Sequence, residues 1–143
     1  MIKSIILQNF RNYRFRQFEF LEGVNFIAGK NGIGKTNLLE AVSLISGTLG
    51  IREAEIKDLN QDFNNPFSVG FETEFGKIGI FNSGGNRKFQ LEGEGIKSKN
   101  LSDKIKVVCA MPEDEFVFKS SPSEKRKFLD KALSIINKSH AEA

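Results

Sequence analysis

Residues Gly29 to Thr36 read Gly-Lys-Asn-Gly-Ile-Gly-Lys-Thr, and this stretch decides the fold. It matches the G-x-x-x-x-G-K-[ST] pattern of a phosphate-binding loop, or P-loop. The apolar run Val24 to Ala28 precedes it and predicts a strand buried on both faces. Apolar residues at helical spacing follow it, and they predict a helix from about Lys35 to Ser46 that ends at Gly47. Strand, glycine-rich loop and helix in this order are the context that the motif requires.

The residue types of the loop suit a nucleoside triphosphate. Glycines allow successive backbone N–H groups to point inward at a phosphate chain. The helix that begins near Lys35 directs its positive end at the same anion. We expect the ammonium group of Lys35 to contact the β- and γ-phosphates and the hydroxyl of Thr36 to bind Mg²⁺.

Length and composition indicate one globular domain over residues 1–143 with an ordinary apolar content of 39% and a net charge of +3. The single cysteine, Cys109, excludes a disulfide within the chain and fits a reducing compartment. The first residues do not resemble a signal peptide, and no run reaches transmembrane length. These features predict a cytoplasmic protein without a membrane association.

The remaining pattern predicts an α/β fold, in which an antiparallel sheet of short strands packs beside the P-loop part. Between Gly47 and Pro66 the chain is irregular, with a helical turn expected between Arg52 and Leu59. Gly93 to Leu101 is expected to be a loop with a weak strand. The last helix is expected to begin at Ser121 and Pro122. The predicted strands are Ile2–Asn9, Arg14–Phe20, Phe67–Phe75, Lys77–Phe81, Arg87–Leu91 and a second buried strand, Lys106–Met111.

Two further motifs have alternative interpretations. Glu113 or Asp114 follows the strand expected at Lys106–Met111, where a P-loop enzyme places a carboxylate that helps to bind Mg²⁺. The alternative is an acidic turn without a metal, since Pro112 displaces the acids from the strand end. Ser83 to Asn86 resembles the Ser-Gly-Gly-Gln signature of ABC-type ATPases, but its place between two short strands favours a hairpin turn.

Two groups of basic residues also have a functional and a structural interpretation. Arg11 lies at the junction of the first two strands, where its side chain either reaches a phosphate or ribose or extends from a solvated turn. Lys125, Arg126 and Lys127 open the last helix, and they either contact a phosphate backbone or form a solvated helix face.

Four stretches together resemble the RecF family, bacterial DNA replication and repair ATPases of the SMC-like branch of ABC ATPases. They are Ile6 to Tyr13, Gly29 to Ala41, Met111 to Asp114 and Ser121 to Asp130. The resemblance spans nearly the whole chain and is most specific in the P-loop, its Asn-Leu-Leu-Glu-Ala extension and the last helix. Glu115 and Lys125 depart from the family pattern.

The resemblance implies the N-terminal lobe of an ABC-type ATPase head that binds ATP and Mg²⁺. It implies that the full-length protein dimerises around ATP and binds DNA at gaps and at junctions of single and double strands. There it would act with RecO and RecR to load RecA in recombinational repair and replication restart. Glu113 would stand where related ATPases keep a residue that senses the metal and its water. The nucleotide-binding residues implied are Arg11, Asn12, Gly29, Lys30, Asn31, Gly32, Ile33, Gly34, Lys35, Thr36 and Asn37.

The family's signature motif, second acidic motif and switch histidine lie in its C-terminal half, and this sequence contains none of them. We therefore expect ATP binding with little hydrolysis from this chain alone. Two other functions remain open on the residues. One is a complete small P-loop NTPase or kinase that uses Glu113 or Asp114 for Mg²⁺. The other is a DNA-binding module without catalysis in which the P-loop is vestigial.

Overall fold

The computed structural model describes residues 1–52, 54–62, 65–109, 121–123, 125–126, 129–130 and 133. The chain divides into two compact units, residues 1–105 and residues 106–143, and each is described by itself. The prediction of a single domain stays a prediction.

The first unit is built on one antiparallel sheet of six strands. Their order across the sheet is β2-β1-β3-β4-β5-β6, and every neighbouring pair runs antiparallel. Five of the strands confirm the predicted β-segments, with shifts of one or two residues at most ends. The strands are β1 (Ile2–Phe10), β2 (Tyr13–Glu19), β3 (Ser68–Thr73), β4 (Gly76–Ser83), β5 (Asn86–Leu91) and β6 (Glu94–Gly95).

Two tight turns set the register of this sheet. Phe10 pairs with Tyr13, so Arg11 and Asn12 form the loop between β1 and β2, and Arg11 has a left-handed φ of 52°. Ser83 pairs with Asn86 across Gly84 and Gly85, whose φ angles of 59° and 77° are those that a two-residue hairpin turn requires. The hairpin interpretation of this motif is therefore confirmed, and it does not lie at a helix N-terminus.

The P-loop helix, α1 (Lys35–Ser43), continues into a 3-10 turn (Leu44–Ser46), and Gly47 ends it with a left-handed φ of 75°. This confirms the predicted helix and its end. Leu38, Ala41, Leu44 and Ile45 are buried on one side of it. They share the core with alternate side chains of the central strands, namely Ile5, Leu7, Val69, Phe71, Ile78 and Ile80.

Two short helices lie beside these elements. The helix α2 (Ile56–Leu59) falls within the helical turn expected there, and its Leu59 is buried. The helix α3 (Ser98–Lys104) contradicts the prediction of a loop with a weak strand over Gly93 to Leu101, although β6 is that weak strand. A single buried residue, Leu101, anchors α3, so the sequence offers no repeated apolar spacing that would predict a helix. It is held by packing against the 3-10 turn instead.

The strand predicted at Val24–Ala28 is absent from the structure. This segment belongs to no strand, and Val24 and Phe26 are 79% and 93% exposed. Residues 106–109, the described part of the other predicted buried strand, also form no strand, and Val108 is 65% exposed. A strand needs a hydrogen-bonded neighbour, and none of the described strands pairs with either run. Both predictions were wrong because they relied on apolar composition alone.

In the second unit, the described residues from Pro122 to Leu133 are helical, and the backbone N–H of Lys125 donates to the carbonyl oxygen of Ser121 at 3.2 Å. The predicted start of the last helix is thus confirmed. Glu113, Asp114 and Lys127 lie outside the described residues. Among the helices that the structure describes, none combines the length and the apolar character needed to cross a membrane.

Candidate nucleotide-binding site

Gly34 is the residue that fixes the P-loop against the β1–β2 hairpin. It precedes α1 with a left-handed φ of 112°, a conformation that favours glycine. A Cβ atom at this position would lie 2.7 Å from both the Asn12 Oδ1 and the Tyr13 hydroxyl oxygen. The Tyr13 hydroxyl donates to the Gly34 carbonyl oxygen at 3.1 Å, and burial raises the pKa of this tyrosine. The backbone conformation therefore favours glycine at the last position of the motif, and a Cβ atom there would displace the ends of the Asn12 and Tyr13 side chains from these hydrogen bonds.

Asn12 connects the hairpin to both sides of the loop. Its Nδ2 donates to the carbonyl oxygen of Ile33 at 3.1 Å, and its Oδ1 accepts from the Nδ2 of Asn37 at 2.9 Å. Asn12 and Asn37 were both predicted to lie beside the nucleotide, and the structure brings them together at the start of α1. One side chain thus bridges the P-loop and the first turn of its helix.

The side chain of Lys35 folds back and binds the backbone of the P-loop. As the first residue of α1, it donates from Nζ to the carbonyl oxygens of Gly29 and Lys30, at 2.6 and 3.0 Å. Within the described residues no side chain caps the N-terminus of α1, and its first turn carries no acidic residue. The first N–H groups of α1 can therefore bind an anion, and Thr36 is exposed beside them, whereas the ammonium group of Lys35 is engaged by the two carbonyl oxygens.

A buried carboxylate, Glu40, lies one turn further along α1. It is 0% exposed and accepts two hydrogen bonds from Arg11, from Nε to Oε2 at 2.8 Å and from Nη2 to Oε1 at 2.7 Å. Arg52 adds a third contact, from Nη1 to Oε2 at 3.3 Å, and also donates to the Oδ1 of Asn37 at 3.0 Å. We call Arg11, Glu40 and Arg52 the arginine–carboxylate cluster.

The cluster settles what the Arg11 side chain does. It is only 19% exposed and also donates to the carbonyl oxygen of Asp58 at 2.8 Å. The hydrogen bond to Glu40, and the charge of that carboxylate, raise the pKa of Arg11. The interpretation as a solvated turn is therefore wrong. Arg11 links the hairpin, α1 and the end of α2 beside the loop, and its predicted contact with a nucleotide stays a prediction.

Sequence reasoning missed Glu40 and Tyr13. Glu40 has a detectable signal, because it lies between Leu38 and Ala41 on the buried side of α1, where a charge requires a partner. Tyr13 has none, since its role depends on the hairpin geometry. In the described part of the chain, no cluster of His, Cys, Asp or Glu has the arrangement of a metal site.

Residues 1–109 match the family described as RecF/RecN/SMC N terminal domain. The DNA replication and repair protein RecF of Caldanaerobacter subterraneus subsp. tengcongensis is 34% identical over 150 residues, which cover 97% of this chain and 40% of that protein. A solved structure described as the recombination mediator protein RecF-ATP in the RecFOR pathway is similar with a TM-score of 0.75 and 35% identity, over 96% of this chain and 40% of that one.

A second similar structure comes from work described as the structural biochemistry of ATP-driven dimerization and DNA stimulated activation of SMC ATPases. Its TM-score is 0.76 at 20% identity, over 92% of this chain and 98% of that chain, a likeness of fold alone. The predicted fold class, the N-terminal lobe of an ABC-type P-loop ATPase head with an antiparallel sheet, is confirmed. This chain spans about 40% of the length of the RecF protein that it matches.

Proposed function

This chain belongs to the RecF/RecN/SMC N-terminal domain family, and on that premise we propose that it is the ATP-binding lobe of a RecF-like DNA repair ATPase. The observation that carries the proposal is the geometry of the loop. Gly34 contacts the β1–β2 hairpin, and the side chain of Lys35 donates to the carbonyl oxygen of Gly29 within the loop. The N-terminus of α1 has no side-chain cap among the described residues. This arrangement offers an anion a set of backbone donors and one mobile positive charge.

In the proposed complex, the backbone of residues 29–34 and the ammonium group of Lys35 hold the phosphates of ATP. Lys35 exchanges its two carbonyl partners for phosphate oxygens. Thr36 supplies one hydroxyl ligand to Mg²⁺, a hard cation that prefers oxygen and keeps several waters when protein ligands are few. Glu113 remains the proposed contact for the metal or its water. Asn12 and Asn37 hold the loop and the first turn of α1 in one position.

We further propose that the whole protein works in the cytoplasm at DNA gaps and junctions, where it dimerises around ATP and acts with RecO and RecR to load RecA. Support comes from the family and from the names of the relatives. Lys125 and Arg126, exposed at the start of the last helix, and Lys127 are proposed to contact the DNA backbone. If they do, Lys125→Ala combined with Arg126→Ala will weaken DNA binding and reduce its salt dependence by about two released ions. A salt dependence identical to that of the unaltered chain would remove this role.

The experiment for the nucleotide site is a titration of residues 1–143 with a fluorescent ATP analogue at millimolar Mg²⁺. Lys35→Ala is expected to weaken binding by about tenfold or more, which corresponds to roughly 1.4 kcal/mol. Lys88→Ala is the matched control, because Lys88 is an exposed lysine on β5 away from the loop. Absence of binding by the unaltered chain, or equal affinity of both variants, would refute the proposal and favour a module with a vestigial P-loop.

Hydrolysis separates the proposal from a self-contained enzyme. We expect residues 1–143 to turn ATP over slowly and to gain activity when the C-terminal half of a RecF relative is added in trans. Rapid turnover by this chain alone that is lost with Lys35→Ala, and also with Glu113→Gln or Asp114→Asn, would instead identify a complete P-loop NTPase.

A further inference from the structure

Among the described residues between the 3-10 turn and α2, the chain forms no helix or strand, and side chains of other elements hold it in place. Gly47 and Gly50 have left-handed φ angles of 75° and 82°, and the residues around them form bends and turns. We call residues 48–52 and 54 the connecting segment. It borders a cleft of about 890 Å³ that is also lined by α2 and the β4–β5 hairpin. A segment outside helices and strands takes its position from the side chains that contact it.

Arg87, on β5, contacts both ends of the connecting segment. Its Nη1 donates to the carbonyl oxygen of Thr48 at 3.0 Å, and its Nη2 donates to that of Ala54 at 3.3 Å. The planar guanidinium presents two N–H groups at a fixed spacing and so holds the two carbonyl groups in one geometry, whereas the donors of a lysine ammonium group rotate on a flexible stem. Arg87 therefore fixes the distance between the two ends of the segment.

Arg52 lies between those two ends and faces the P-loop helix. It contacts Asn37 and Glu40 as described, and its side chain is 41% exposed, so these contacts alone do not enclose it. The backbone N–H of Ile51 donates to the Ser43 Oγ at 3.0 Å and anchors the segment to the end of α1. The position of Arg52 thus depends on where the connecting segment is held.

Burial of the Arg87 side chain at this position lowers the stability of the fold. Its Nε is buried and has no hydrogen-bond partner in the described part of the chain. Burial also lowers the pKa of this guanidinium, with the charge of Glu40 acting in the opposite direction. A buried donor without a partner lowers the stability of the fold. If position 87 had only a structural role in the sheet, an apolar residue there would stabilise the fold at least as well.

We propose that Arg87 is a positioning residue of the nucleotide site, which holds the connecting segment so that Arg52 stays against Asn37 and Glu40 on α1. The inference rests on the proposed function of that site. It links the β4–β5 hairpin, which is distant in sequence from the P-loop, to the side chains that surround the loop.

The first test measures the segment itself and needs no nucleotide. Hydrogen exchange of residues 1–143 is compared between Arg87→Met and Lys88→Met, the latter an exposed neighbour on the same strand. We expect Arg87→Met to raise exchange at Gly50 and Ile51 by about tenfold, while β1 and β3 remain as protected as in the control. Equal exchange of the segment in both variants would overturn the proposal. If Arg87→Met does not fold, Arg87→Lys replaces it, with a smaller increase expected.

The second test asks whether Arg87 acts through Arg52. Affinity for the fluorescent ATP analogue with Mg²⁺ is measured for Arg87→Met, Arg52→Ala and the double variant. We expect Arg87→Met to weaken binding by about fivefold in the unaltered chain and by less than about twofold once Arg52 is absent. Additive losses, or no loss from Arg87→Met, would overturn the proposal. If the unaltered chain binds no ATP, the proposed function fails, and the exchange comparison still decides whether Arg87 holds the segment.

Discussion

Replacing Glu40 with glutamine tests whether the arginine–carboxylate cluster stabilises the fold around the P-loop. The Glu40 side chain is fully buried and neutralises Arg11, which is only 19% exposed. Removing one partner of a buried ion pair costs roughly 3–5 kcal/mol, because the other charge stays buried without compensation. Arg52 is 41% exposed and is solvated when released, so its contact adds little. We therefore expect a loss of about 3 kcal/mol for Glu40→Gln.

Thermal unfolding followed by circular dichroism measures this loss. For a chain of this length, 1 kcal/mol shifts the melting midpoint by about 2–4 °C, so a fall of about 9 °C is expected. Glu55→Gln is the matched control, since it removes a carboxylate that pairs with Lys57 on the surface, and the midpoint should not move. Combining Glu40→Met with Arg11→Met removes both charges and should recover more than half of the loss. Equal midpoints for Glu40→Gln and the control, or a double variant no better than Glu40→Gln, would refute the role assigned to the cluster.

Two further predictions concern the contact between the hairpin and the P-loop. Gly34→Ala is expected to destabilise the chain by about 1 kcal/mol more than Gly93→Ala in the same unfolding assay, because both positions have positive φ but only a Cβ at position 34 displaces the Asn12 and Tyr13 side chains. Equal losses would show that Asn12 and Tyr13 do not constrain position 34. Tyr13 is the only tyrosine, so absorbance at 295 nm reports its ionisation directly, and its midpoint should lie above the ordinary value of 10.0 because burial raises its pKa. Since the folded state favours the protonated phenol, its contribution to stability is present below pH 10 and is lost as the pH rises through the folded pKa. A midpoint at or below that of the denatured chain would contradict the burial of the Tyr13 side chain against the P-loop.

Short sequence patterns correctly predicted those elements of the fold that are determined by residues close together in the sequence. The P-loop glycines, the helix that follows them and the Gly84–Gly85 turn each follow from backbone conformations that few other residues adopt. The β-meander follows from alternating apolar residues between turn residues. In these elements, the residues that produce the structure are the same residues from which it can be predicted.

The failures occur where the cause lies elsewhere in the chain. Val24 to Ala28 has the composition of a buried strand, but a strand exists only beside another strand, and composition does not reveal whether one is present. The helix α3 shows the reverse case, since contact with the 3-10 turn stabilises a segment whose own pattern is weak. In both cases, contacts with other parts of the fold determine whether the segment forms regular structure.

The candidate site divides in the same way. The phosphate-binding residues were evident from their spacing, and the resemblance added Arg11 and Asn12. Neither source indicated that Arg11 pairs with Glu40, because that contact joins two segments 29 positions apart through the hairpin geometry. An acidic residue within the apolar stripe of α1 was the available signal.

The exposed segment before the P-loop has a practical consequence for handling residues 1–143. Val24 and Phe26 expose two large apolar side chains to water, and they follow the edge strand β2 in the sequence. Material concentrated for crystals or spectroscopy should therefore self-associate through this stretch, and Phe26→Ser should delay that association in light scattering.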